Sequence, residues 1–109
     1  MKVSELITAL SLEPISLPQP DREIDGCYIG DLLSWVMSKA REDNAWITIM
    51  SNINIVAVAS LTDVSCVILA EGVMPEQDVI DVAKSKGVNL LVAPNQSAYA
   101  IATAIAGVL

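Results

Sequence analysis

The sequence predicts an α/β fold, built from βαβ units in a three-layer arrangement with a mainly parallel sheet covered by helices. Three observations carry this. From residue 45 onwards, apolar runs suited to strands alternate with amphipathic segments of helical length, a βαβαβα rhythm. The runs ITIM, CVIL and LLV are continuously apolar, as strands buried on both faces are. The intervals between them suit the crossover helices that parallel neighbours require. A chain of 109 residues is by default one domain. Residues 1–23 read as an N-terminal helix and a proline-rich segment, and 24–109 as the βαβαβα core.

Taken in order, Ser4 is placed to cap a short helix through about Ser11, with Leu6, Ile7 and Leu10 on one face. EPISLPQPDREID holds three prolines and has room for a short edge strand from Pro14 to Leu17. Cys27–Ile29 is a short strand ending at Gly30. Asp31 is a good cap for the next helix, where Leu32, Leu33, Val36, Met37 and Ala40 recur at helical spacing. Lys39 and Arg41 suit its negative end, and Asn44 can stop it. AWITIM is a strand.

SNINIVAVASLTD has two readings, the return strand of a hairpin or a helix capped by Asn52. The helix is preferred, because the interval to the strand VSCVILA has the length of a crossover. In EGVMPEQD, residues 71–78, Pro75 takes the first helical position and Val79, Ile80 and Ala83 face inwards. Lys84, Lys86 and Gly87 end that helix. VNLLVA is the last strand, broken by Pro94, and NQSAYAIATAIAGVL the last helix.

The composition narrows function. Hydrophobic residues make up 53% of the chain and charged ones 17%, more apolar than an ordinary small domain. Surplus apolar surface goes into an interface, so a homodimer is expected. The net charge is −7, and the six cations are scattered. A duplex-binding surface needs clustered Lys and Arg, so no nucleic-acid partner is expected. No apolar run is long enough to span a bilayer and no secretory leader is visible, which predicts a cytoplasmic protein without membrane contact.

Histidine is absent, which removes the commonest general base and metal ligand. Cys27 and Cys66 lie far apart, each inside a strand, and read as buried inert thiols rather than metal ligands or a disulfide. Phosphate-loop, dinucleotide-binding and nucleophile-elbow motifs are all missing. Asp31, Asp63, Glu71, Asp78 and Asp81 fall where caps and solvated first turns want acids. No cofactor, metal or catalytic pair is expected, and the chain does not read as an enzyme.

Backbone sites remain. In open α/β sheets ligands bind outside the C-terminal strand ends. EGVMPEQD carries Glu71, Glu76 and Asp78 around its turn, so it reads as a structural turn rather than a phosphate site. SNIN and PNQS carry amides and hydroxyls and no acid. Two readings stand for them: ordinary N-caps, or a small-anion site made by Ser51, Asn52 and Asn54 with Asn95, Gln96 and Ser97. Asp31 is a cap or a further ligand contact.

Residues 24–109 resemble the DRTGG domain family. GCYIGDLLSWVM is similar to the family's strand, Gly-Asp turn and first helix. WITIMSNINIVAVASLTDVSCVILAEG resembles its strand, Asn-led helix and strand running into a Gly turn. PEQDVIDVAKSKGVNLLVAPNQSAYAIA resembles the closing helix, strand and Ser/Thr-containing helix start. The namesake run is absent, and Glu71-Gly72 stands where a Gly-Gly pair would be expected. The resemblance implies an α/β fold similar to the N-terminal domain of HPr kinase/phosphorylase, dimerisation, and a regulatory or assembly role without catalysis. It also implies a redox-system protein as partner, because free-standing family members accompany hydrogenase and other redox genes.

Two functional expectations follow. One is a non-enzymatic regulatory module, a homodimer sensing a small anionic ligand such as a nucleotide. The other is a protein–protein interaction or scaffold module of a redox, hydrogenase-type system with no small ligand.

Overall fold

A computed structural model describes residues 1–109. The chain runs α1 (Val3–Leu10), β1 (Glu13–Ser16), β2 (Cys27–Ile29), α2 (Leu33–Lys39), β3 (Ala45–Thr48), α3 (Asn54–Thr62), β4 (Cys66–Leu69), α4 (Gln77–Lys86), β5 (Leu90–Val92) and α5 (Ala98–Val108). The five strands form one sheet in the order β1-β5-β4-β3-β2. β2, β3, β4 and β5 are parallel, and β1 closes the far edge antiparallel to β5. The fold is therefore α/β with a mostly parallel sheet between two helical layers.

Side-chain alternation along the strands feeds both layers. Ala45, Ile47, Cys66, Ile68 and Leu91 pack towards α1 and α5. Trp46, Val67, Leu69, Leu90 and Val92 pack towards α2, α3 and α4. Every residue of β3, β4 and β5 is buried, which is why these strands read as unbroken apolar runs. The proline-rich segment contributes β1, whose Pro14 sits at the sheet edge, where a missing N–H breaks no ladder bond on the outer side. SNINIVAVASLTD is a helix, with Ile55, Val56, Val58 and Ala59 turned inwards.

Four helix starts differ from expectation. Asn52 does not cap α3: the cap position is Ile53 with no side-chain bond, because Asn52 closes the turn one residue earlier. Ser4 lies inside α1, which begins at Val3, and Glu5 secures that end by accepting the Lys2 N–H at 2.8 Å. Asp31 does not cap α2: the cap position is Leu32 with no side-chain bond, because the Asp31 carboxylate is turned onto β3. Pro75 precedes α4 by two residues, since the turn after β4 runs one step further before Glu76 takes the cap position.

Candidate functional site

Strand direction gives the sheet two ends of different chemistry. At the N-terminal end, polar side chains cross-link the loops. Arg22 donates to Asp43 Oδ1 at 3.1 Å and approaches Asp63 Oδ1 to 2.8 Å, and it also bonds the Asp63 carbonyl. Asp43 and Asp63 both hold left-handed backbone, φ 66° and 60°. Burial disfavours the Arg22 charge, but hydrogen bonds to Asp63 and Asp43 more than compensate, and its pKa is raised. Buried Asn89 exchanges bonds with the Gln19 backbone in both directions and donates to the Ser65 carbonyl. Ser16 Oγ donates to the Val88 carbonyl at 2.9 Å.

The C-terminal end holds all the residues singled out as ligand contacts. After β3, Asp31 Oδ1 accepts from Thr48 Oγ1 at 2.8 Å and from the Ile49 N–H at 3.0 Å. Thr48 Oγ1 in turn accepts from the Met50 N–H. Two backbone donors that follow the strand are thus engaged by side chains. Asn52 Oδ1 accepts from the Asn54 N–H at 2.9 Å, so Asn52 closes a local turn one residue before the cap position of α3. Ser97 caps α5 by accepting the Ala100 N–H at 3.1 Å, and Gln96 Nε2 reaches the Leu10 carbonyl.

The turn after β4 is closed in the same way. Ala70 accepts from the Val73 N–H, with Glu71 and Gly72 at φ 61° and 70° between them, the backbone of a type I′ turn. The Glu71 and Gly72 amides donate to the carbonyls of Gln96 and Ala93. These are the donors a phosphate would need, and they already hold β4 to β5. A Cβ on Gly72 would stand 2.6 Å from the Pro94 carbonyl oxygen, so the position requires glycine for space as well as for φ.

Ser51 and Asn52 border a cavity of about 320 Å³, completed by Ile53, Glu76, Asp78 and Val79. The start of α3 is therefore not free of acid, as its own sequence suggested, because α4 brings two carboxylates beside it. The start of α5, with Asn95, Gln96 and Ser97, does not line this cavity. It follows β5 and leads into the opposite helical layer. A second cavity of about 430 Å³ lies between α3 and α4, lined mainly by apolar residues with Lys86 at its edge. Cys27 and Cys66 are two strands apart, each in register with Ala45. Burial pushes the Cys27 thiol up to about 11. Burial, then the neighbouring Cys27, takes Cys66 up to about 12 against a smaller opposing effect of Arg22.

The same end exposes apolar side chains, among them Leu32, which helical spacing had placed on the inward face of α2. Ile29, Leu32, Trp35, Ile49, Ile53 and Met74 are 44% or more exposed, and Tyr99 in the first turn of α5 is 78% exposed. Most of them hid in the sequence because they continue a helical or strand pattern that is otherwise buried; Met74 lies in the turn before α4.

Neither a protein-family model nor a curated protein matches the chain. A solved structure does: the CBS and DRTGG domains of the regulatory region of Clostridium perfringens pyrophosphatase, complexed with the activator diadenosine tetraphosphate. The match covers 94% of this chain at 17% identity, with a TM-score of 0.70. What is shared is the fold. This chain corresponds to 46% of that one, less than half its length. No helix here is long and apolar enough to cross a membrane.

Proposed function

We propose that the protein is a non-catalytic regulatory module, related to DRTGG domains, that responds to a small ligand at the C-terminal end of its sheet and works as a homodimer. The supporting observation is the fold, which extends over nearly the whole chain to a regulatory region solved with a nucleotide activator. The acids of the site suit binding roles. Asp31 is engaged by Thr48 and Ile49, while Glu76 and Asp78 flank the cavity next to Ser51 and Asn52. Carboxylates accept bonds from sugar hydroxyls but repel phosphate, so a nucleoside or nucleotide would turn its ribose to Glu76 and Asp78 and its phosphates to solvent. Asn54, and Asn95, Gln96 and Ser97 at the start of α5, are further polar side chains at this end, outside that cavity.

The test is a thermal-shift scan against adenine and guanine nucleotides, cyclic nucleotides, phosphate and NAD(H) at fixed protein concentration. A ligand at about 100 times its Kd adds roughly 2.7 kcal/mol, a rise of several degrees for a domain of this size. A saturable shift removed by Asn52→Ala or Glu76→Gln is the expected result, and a flat panel at millimolar ligand overturns the reading. The apolar exposure at the same end favours a second reading, a scaffold that binds a protein, such as a redox-system component, and no small molecule.

A further inference from the structure

We infer that the C-terminal end of the sheet is a docking face for a cationic, amphipathic segment of a partner protein. The first observation is apolar. Ile29, Leu32, Trp35, Ile49, Ile53 and Met74 all lie at the ends of the parallel strands or the starts of the helices that follow them, and all are substantially exposed. Exposed apolar side chains scattered singly are ordinary, but most of the large ones in this molecule gather at one end. Exposed apolar side chains gathered in this way mark interaction sites.

The second observation selects the occupant. Glu13, Asp31, Glu71, Glu76 and Asp78 belong to this end, Glu13 because β1 is antiparallel and starts beside Val92. Of the six cations only Lys39 reaches it, its ammonium lying 6.0 Å from the centre of the Trp35 ring. Lys2 precedes α1 and pairs with Asp21, and Arg22 pairs with Asp43 and Asp63. Lys39, Arg41, Lys84 and Lys86 sit at or just beyond the last turns of α2 and α4, which run antiparallel to the strands. The other five gather at the N-terminal end of the sheet, where they offset more than half of the acids there. Most of the net charge of −7 is concentrated on the apolar rim.

An acidic rim around apolar anchors complements a segment with the opposite charge and its own apolar face. It opposes nucleic acid and anionic lipid, and it opposes a second copy presenting the same face, because like charges would meet across the two-fold axis. The inference is independent of the small-ligand reading. A flat nucleotide panel leaves it standing, and its own failure leaves the panel's result untouched.

The experiment uses the whole chain and two peptides of about 14 residues, one an amphipathic Leu/Lys helix and the other its Leu/Glu counterpart. Trp35 reports from the rim, being 60% exposed, while Trp46 is fully buried. The Leu/Lys peptide is expected to shift Trp35 emission to the blue and shield it from acrylamide, and about 0.5 M salt should weaken this markedly. Glu71→Lys with Glu76→Lys should cost on the order of tenfold in affinity. Asp21→Lys with Glu42→Lys, the same change in net charge at the other end, should cost less than about threefold. Thermal unfolding is followed in parallel, and a rim pair that fails to fold is replaced by Glu71→Gln with Glu76→Gln. Equal losses from the two charge pairs, equal binding of the Leu/Glu peptide, no protection of Trp35 at low salt, or a native dimer in which Trp35 is already shielded would each overturn the proposal.

Discussion

The two ends of the sheet use similar residue types to opposite effect. At the N-terminal end, polar side chains turn inwards and tie distant loops together: Arg22 bridges two acidic turns, and Asn89 joins the proline-rich segment to β4. At the C-terminal end, polar side chains close their own loops or the next one, with Gln96 reaching Leu10 as the one distant tie, and large apolar side chains face outwards. In α/β folds the first arrangement reads as stability and the second as function. Here the contrast is written in hydrogen bonds and exposure, and it can be tested one side chain at a time.

The largest expected effect comes from the closed end and is a pH effect. Cys66 opens β4 there, fully buried, with its thiol pushed up from 9.0 to about 12. In the unfolded chain the thiol loses its proton near pH 9, whereas in the folded protein it keeps it. Its contribution is fully present below pH 9 and is lost as pH rises through about 12. Three units correspond to roughly 4 kcal/mol. Urea unfolding at a series of alkaline pH values should show a steep fall that Cys66→Ala makes shallower. An unchanged slope in that variant would mean that water reaches this end.

Arg22→Ala should come next, with a loss of about 3 kcal/mol. It removes charge-assisted bonds from a guanidinium only 18% exposed and leaves Asp43 and Asp63 unpaired on left-handed backbone. Arg22→Lys should recover only part of this, because a single ammonium cannot span both acids and the Asp63 carbonyl. Asn89→Ala should cost about 2 kcal/mol, since it strands the Gln19 and Ser65 backbone groups. Denaturant midpoints measure all three.

How legible these ends were in the sequence follows from their wiring. β3, β4 and β5 were visible because burial on both faces leaves an unbroken apolar run, and the helix at SNIN because crossover length outweighed its strand-like composition. The turn at Glu71-Gly72 was readable as structural from its own acids. The Arg22 cluster was not, because its partners lie 21 and 41 residues away and pairs at that separation leave no period in the sequence. The same reason hid the acids beside SNIN, since Glu76 and Asp78 arrive on the next helix. Asp31 read as a cap or a ligand contact, while the fold gave it Thr48 and Ile49.

At the open end, the one position expected to resemble the closed end is Gly72. Gly72→Ala should cost about 2 kcal/mol, from φ near 70° and the approach of the Pro94 carbonyl at 2.6 Å. The companion change Glu71→Gly should be nearly neutral, because relief of left-handed strain is offset by the greater freedom of glycine in the unfolded chain.

The smallest effects on stability are expected where the effects on association are largest. Leu32 is 62% exposed and Met74 52%. Replacing either with Ser removes apolar surface that water already touches, so stability should change by no more than about 0.5 kcal/mol. The same substitutions should weaken any complex formed at this end several-fold, because the apolar anchors supply most of the energy of such a contact. A rim variant that unfolded as readily as Arg22→Ala would show that these side chains are core residues after all. One that left both stability and association unchanged would move the working surface elsewhere, with the apolar groove between α3 and α4 the next place to examine.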